Sequence, residues 1–159
     1  MTTNFKEALN TQSTLTITLA SLAASATAGR QSTLVDNRTN LFQGAQIMVK
    51  FKTGASGVSA TGTVVIYAIG SMDGGTTVTD GGGASDAALT RVNAIPIATM
   101  NCTANATTYI GGPYEVGPSF GGELPGEWGI LLVNNTGSTS DTTAGNFSVQ
   151  YQEFYTTGA

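Results

Sequence analysis

Three glutamates, Glu115, Glu123 and Glu127, stand close together in the chain, next to its single tryptophan, Trp128. Two carboxyl groups facing one cleft are what the hydrolysis of a glycosidic bond requires. Nothing in the spacing fixes these three on a common cleft, and glutamates among turns at Pro118 and Pro125 are equally the mark of a solvated loop. A second acidic set lies in residues 70–83, where Asp73 and Asp80 stand among six glycines. Carboxylates on a flexible loop suit a hard cation such as calcium, yet the spacing matches neither an EF-hand nor a repeated glycine–aspartate nonapeptide. A long surface turn accounts for it as well. The chain contains no histidine. That removes the commonest general base, the usual metal ligand and every Ser-His or Cys-His device. Cys102 is the only cysteine, so no internal disulfide can form, and it reads as a small buried hydrophobe. No glycine run has the P-loop or dinucleotide pattern. The reading is therefore no enzyme, no cofactor and no metal.

Tyr109, Tyr114, Trp128, Tyr151 and Tyr155 are the raw material of a sugar-binding platform, but strand aromatics at inward phase more often belong to the core. Asn-x-Ser/Thr sequons at Asn37, Asn101, Asn105, Asn134 and Asn146 follow from a Ser/Thr-rich composition. Charged residues are only 10% of the 159, apolar ones 40%, and 21 are glycine, with a net charge of -4. Low charge with substantial apolar content marks an ordered, turn-rich domain rather than a disordered chain. The acidic balance argues against nucleic acid as a partner, because phosphate binding needs clustered Lys and Arg. Charge is also uneven: residues 1–80 carry a net +1 and the remainder a net -5. Such asymmetry suits head-to-tail attraction between subunits, or arises by chance. No run approaches the ~20 apolar residues of a membrane span. Ala26-Thr27-Ala28 resembles a leader cleavage site, but the preceding Leu-Thr-Ile-Thr-Leu alternates like a strand, and a cleaved leader is not expected.

The elements that must position these groups are strands. Ile47, Val49 and Phe51 alternate with Met48, Lys50 and Lys52, which places three bulky groups on one face. After a small-residue loop, residues 63–69 are apolar on both faces and need cover on both sides. These two runs read as a central hairpin. Thr14 to Leu19 predicts a strand with Leu15, Ile17 and Leu19 inward, and a short strand is expected near Ser32 to Val35. Ile95 to Met100 predicts an edge strand, since Pro96 lacks a ladder donor. Residues 106–116 read as a strand interrupted at Gly111-Gly112-Pro113. Residues 128–133 form a second two-faced run, the expected partner layer to residues 64–69. After a polar hairpin loop, Phe147, Val149, Tyr151 and Tyr155 line a closing strand. The expected core is Leu15, Ile17, Ile47, Val49, Phe51, Val65, Tyr67, Trp128, Ile130, Leu132, Phe147, Val149 and Tyr151. About eight short strands between turn signals give an all-β, single-domain antiparallel β-sandwich. Uneven loops and the absence of a Cys…Trp…Cys signature favour a jelly roll. Residues 1–12, with Phe5, Ala8 and Leu9 at helical spacing, read as an N-terminal arm, either one helical turn or a segment that orders against a partner; residues 13–159 form the sandwich domain. Arg30, Asp36 and Arg38 read as an ion-pair cluster or as a solvated loop pair.

Several stretches resemble tailed-bacteriophage virion proteins. They are Ala28-Gly29-Arg30-Gln31-Ser32-Thr33 with Val35-Asp36-Asn37, Val49-Lys50-Phe51-Lys52-Thr53-Gly54, and Tyr67-Ala68 leading into Gly70-Ser71-Met72-Asp73-Gly74-Gly75-Thr76. Ala104-Asn105-Ala106-Thr107-Thr108-Tyr109, Gly111–Pro113, Phe120-Gly121-Gly122-Glu123-Leu124-Pro125 and Trp128-Gly129-Ile130 continue the likeness, which spans most of residues 14–155. The chain is most similar to small capsid decoration, or cement, proteins. That resemblance implies a non-enzymatic jelly roll, assembled in the bacterial host cytoplasm and carried on the capsid surface. Its partners would be itself, as a homotrimer, and the major capsid protein, whose neighbouring subunits it would bridge; neither nucleic acid nor membrane is implied. The family has no site motif to carry over. The apolar-anchored arm and the basic-leaning first half point to Phe5, Leu9, Arg30, Asp36 and Arg38 as capsid contacts. The alternative is a neck-, tail- or fibre-associated module, structural or glycan-binding.

Overall fold

The computed structural model describes residues 5–158 of the chain. Eleven strands follow one another, with only short 3-10 turns between some of them: β1 (Phe5–Leu9), β2 (Ser13–Leu15), β3 (Ala28–Gln31), β4 (Val35–Asp36), β5 (Gly44–Lys52), β6 (Thr63–Ser71), β7 (Ala87–Thr90), β8 (Ile95–Asn101), β9 (Thr108–Glu115), β10 (Glu127–Asn135) and β11 (Ser148–Gly158). They form two antiparallel sheets. In the first, β11 lies between β5 and the successive strands β1 and β2, and β9 closes the far edge. In the second the order is β7, β3, β10, β6, β8, with β4 pairing further along β10. Taking β1/β2 and β3/β4 each as one broken strand, the pairs nest: β2 with β11, β3 and β4 with β10, β5 with β9, β6 with β8. A long antiparallel ribbon rolled up on itself gives this order, which is the jelly roll. Strand β7 is an addition, inserted between β6 and β8 and laid against β3.

The inward-facing residues meet between the sheets. Leu15, Ile47, Val49, Phe51 and Val149 come from the first, and Val64, Ile66, Met100, Trp128, Ile130 and Leu132 from the second, all buried. Ile17, Phe147 and Tyr151 are half-buried against this cluster. Trp128 meets Tyr151 edge-on, with ring centroids 5.3 Å apart, and Phe51 meets Phe147 likewise at 5.4 Å. Cys102 is buried here, and burial pushes its thiol up to about 11.

Strands β6 and β10 are apolar on both faces because the second sheet is covered on both. On its outer side Tyr67, Ile69, Leu131 and Val133 pack with Val78 and Ala94, joined by Leu34, Val65 and Leu89. Val65 and Tyr67 therefore belong to this outer cluster and not to the core between the sheets. An all-apolar run gives no phase from which to tell the two faces apart.

Other expectations are corrected. β5 and β6 are not a hairpin: each lies in a different sheet, and residues 53–62 cross between them. β6 and β10 are hydrogen-bonded neighbours in one sheet, from Glu127 opposite Ser71 to Asn135 opposite Thr63, rather than facing layers. β2 stops at Leu15, because Thr16 gives its carbonyl to Thr33 N (2.9 Å) and Leu19 gives its own to Ser140 Oγ (2.6 Å) as the chain leaves the sheet. The strand expected near Ser32 to Val35 is split into β3 and β4. Ser32 sits between them, buried, where its hydroxyl accepts from Ile130 N. β9 continues through Gly111-Gly112-Pro113, but its ladder with β5 is interrupted there as expected: Gly111 stands opposite Val49 and Tyr114 opposite Ile47, which leaves the extra residue as a bulge in β9. Gly112 adopts φ +117°, and a Cβ there would meet Ile47 O at 2.5 Å. Residues 136–147 cross from the second sheet to the first, so they are no hairpin. Residues 5–9 are a strand on β11 and not a helical turn, paired with it along a ladder from Phe5–Gly158 to Leu9–Phe154; residues 1–4 of the expected arm lie outside the described residues.

Candidate interaction surface

The residues that suggested chemistry are spread apart and occupied. Glu127 is buried at the start of β10 and bound to Arg38 Nη2 at 3.1 Å. Glu115 ends β9 opposite Gln46 in the other sheet, exposed. Glu123 lines two surface hollows. Asp73 accepts from Thr77 N and Ser71 Oγ, both at 2.8 Å, and these bonds hold its carboxyl at about 2. Asp80 accepts from the amides of Val92, Asn93 and Ala94 at 2.9, 2.6 and 3.0 Å. Burial raises its pKa and the three amides lower it further, for a net decrease. Both carboxylates of the glycine loop are thus used as acceptors for the chain's own amides. Among the described residues no group of three or more His, Cys, Asp or Glu side chains is placed to hold a metal ion. Four of the five aromatics belong to the core rather than to a platform: Trp128 is wholly buried, and Tyr109, Tyr114 and Tyr151 pack half-buried against the cluster between the sheets, Tyr109 Oη also accepting from the amides of Thr103 and Ala104; Tyr155 lies at one end of the sandwich.

The ion-pair cluster read from Arg30, Asp36 and Arg38 is divided. Arg30 binds Asp86 on the β7 side, whereas Arg38 pairs with Asp36 at 2.8 Å and with Glu127. β3 and β4 reach β10 at Leu132 and Glu127, five positions apart, so these groups lie roughly 17 Å from each other along that strand. The hydrogen bonds from Arg38 hold the Asp36 carboxyl at about 2. Lys52 pairs with Asp141 at 3.2 Å.

The other surface feature is apolar and lies at one end. Leu9, Leu41, Met72 and Tyr155 are four of the eight large apolar side chains that stand exposed among the described residues. All four belong to the end where β5 begins, β6 finishes and β10 starts. A hydrogen bond from Leu124 N, on the loop that leads into β10, to Gln43 O, just before β5, brings that end of the first sheet to the same end of the second. Beyond Gly44, β11 continues with β1 as its only partner, so Phe154–Gly158 and Phe5–Leu9 form a two-stranded ribbon. At its base Phe154 covers Gly44, where any Cβ would strike the ring. Phe42 packs on Tyr155 with centroids 5.8 Å apart.

Asn37, read from sequence as a turn former, organises the neighbouring loop. Its buried side chain donates to Phe42 O (3.0 Å) and Pro125 O (3.4 Å) and accepts from Phe42 N (2.7 Å). Held this way, Leu41 adopts φ +53° and is 70% exposed. A branched residue in the left-handed region is strained, and strain of this kind is kept where surrounding structure imposes it. Three hollows run along this end. One of about 490 Å³ lies between the ribbon and Leu41, one of about 300 Å³ between Leu41 and Pro125, and one of about 760 Å³ between Pro125 and Met72. The first two share Leu41, Phe42 and Gln43, and the last two share Glu123 and Pro125, so they form a continuous band. Of the five residues expected to touch a partner, Leu9 lines this band, and Asp36 and Arg38 lie beside it through Glu127 and Gly126. Arg30 lies elsewhere, and the side chain of Phe5 is outside the described residues. Sequence reasoning missed Leu41 and Met72, since single apolar residues in polar loops carry no periodic signal.

No protein-family model matches the sequence, and neither does any of the curated proteins. Among solved structures the chain is similar to one from Desmodium yellow mottle tymovirus. The identity is 10% and the TM-score 0.33, over 100% of this chain and 89% of that one. The order of the strands, not that overlap, carries the fold assignment. No described helix is long and apolar enough to cross a membrane.

Proposed function

We propose that this chain is a non-enzymatic structural component of a tailed-phage virion that decorates the capsid shell as a homotrimer and bridges neighbouring major capsid protein subunits. The observation that carries the reading is the gathering of exposed apolar side chains into a band at one end of a jelly roll whose carboxylates are otherwise engaged or scattered. The sequence resemblance supplies the family of structures in which such a body serves. A clip that touches several neighbours at once gains strength from the sum of modest contacts. A cyclic assembly suits a symmetry axis of a closed shell.

Two measurements test it. Quantitative gel densitometry of purified particles should give copies in proportion to the shell's own subunits; a number fitting a single vertex assigns the chain to the neck, tail or fibre instead, and glycan-array binding then becomes the next assay. Deletion of residues 1–12 should weaken binding to undecorated capsids, because it removes Leu9 and β1 from the band. Unchanged affinity would exclude the ribbon from attachment.

A further inference from the structure

Lys6, Glu7, Lys50, Arg91, Glu115 and Glu123 are among the charged residues that form no ion pair within the described residues, and two of them, Glu123 and Arg91, stand in patches with exposed apolar groups. Glu123 stands exposed on the loop between β9 and β10, on the wall shared by two of the hollows, and takes part in no ion pair. Beside it lie Phe120, Pro125 and Met72, the last 93% exposed. Arg91 also makes no ion pair, and it is the only basic residue after Lys52. Its guanidinium lies over the Tyr67 ring, 5.0 Å from the centroid, and its buried Nε has no hydrogen-bond partner. Val92, 68% exposed, and Ile95, 54% exposed, flank it. One patch is thus an apolar hollow with a carboxylate, and the other an apolar ridge with a guanidinium.

We infer that these two patches are the halves of one contact between copies of this chain, with the Arg91–Ile95 ridge of one copy seated in the hollow between Met72 and Pro125 of the next. The occupant is a second copy because the chain itself carries the complement. A hollow bordered by Glu123 calls for apolar groups with a cation, and the Arg91–Ile95 segment exposes both. The ridge crosses the outer face of the second sheet, and the hollow lies at the sheet's end. A contact between different patches is head-to-tail, and it closes into a ring or runs on as a filament according to the rotation between copies. The ridge is also held in shape before contact. Asp80 fixes the amides of Val92, Asn93 and Ala94, so little ordering accompanies association. This inference supplies the self-contact that the homotrimer of the proposed function needs.

The test is the mass of the purified chain in solution, by light scattering after size exclusion and by native mass spectrometry over a range of concentrations. The wild-type chain should assemble. Glu123→Arg, which alters only an exposed loop side chain, should raise the dissociation constant roughly tenfold or more. Val92→Asp should do the same, and Glu123→Arg should leave the thermal unfolding of the monomer unchanged. Arg91→Glu combined with Glu123→Arg should restore assembly that each reversal alone weakens. A wild-type chain that stays monomeric at every concentration overturns the inference. Assembly unaffected by Glu123→Arg and Val92→Asp overturns it too, as does a double variant no better than Glu123→Arg alone. The measurement needs no capsid. A ring that forms in solution but is absent from shells keeps this contact and removes the decorating role, while a monomer found on shells does the reverse.

Discussion

Asp80 ties the crossing over the outer face of the second sheet to the turn that precedes β7 by accepting three consecutive amides. Asp80→Ala leaves all three without that acceptor, and the expected loss is about 1–3 kcal/mol in chemical denaturation, with faster amide exchange confined to residues 92–94. Glu153 behaves in the opposite sense. Its carboxyl is buried beside Trp128, whose Nε1 donates to it at 3.3 Å, and burial raises its pKa above the ordinary 4.5. A raised folded pKa means that its contribution is fully present below 4.5 and is lost as pH rises through the folded value. Asp73 and Asp141 are held at about 2, by the Thr77 amide and the Asn146 side chain respectively, against an ordinary 3.8. Their contribution is present above 3.8 and is lost as pH falls toward 2. Denaturation midpoints measured from neutrality downward should therefore rise toward pH 4.5 and then fall below 3.8. Glu153→Gln, which still accepts from Trp128, should abolish the rise, increase stability at neutral pH and leave the acid limb intact. None of these partners was visible in the sequence. A carboxylate's spacing along the chain carries no trace of an amide that reaches it from fourteen residues away, as Ala94 reaches Asp80, or of an indole from twenty-five, as Trp128 reaches Glu153.

Strands differ in how much of themselves the sequence discloses. In β5 the alternation of Ile47, Val49 and Phe51 with Met48, Lys50 and Lys52 states both the strand and its inward face, and all three apolar residues are fully buried. β6 and β10 state the strand but hide the face, because cover on both sides removes the polar half of the alternation; Val65 and Tyr67 were misplaced for that reason. Pairing is harder still. Two strands joined by ten small and polar residues read as a hairpin, and only the rolled ribbon sends them to different sheets. Glycines and a proline signal a break, and at Gly112 they make one in the ladder while letting β9 pass close to Ile47 and continue. Gly112→Ala should cost about 1–3 kcal/mol, since it forces an L residue to φ +117° against a carbonyl. Chemical denaturation reads that loss, and Gly121→Ala, where a Cβ meets nothing within 4 Å, isolates the contact from the positive φ.

At the scale of the molecule, the sandwich followed from short apolar runs between turns, but eleven strands stand where about eight were expected, β1 and β7 among those not foreseen, and the band at one end was not foreseen either. It is assembled from Leu9, Leu41, Met72 and Tyr155, which lie far apart in the chain and meet only because the roll returns β11 to β1. The ribbon that Phe5–Leu9 makes with Phe154–Gly158 has a practical consequence for anyone using this body as a carrier. A payload spliced before Phe5 or after Gly158 would emerge beside the sticky end and should blunt whatever seats there. The exposed turn at residues 142–145 lies past Lys50 and Ser148, at the far pole. In the proposed shell-bound role, a reporter domain inserted there should leave attachment untouched and point outward, and comparing particle occupancy for the two placements tests that polarity.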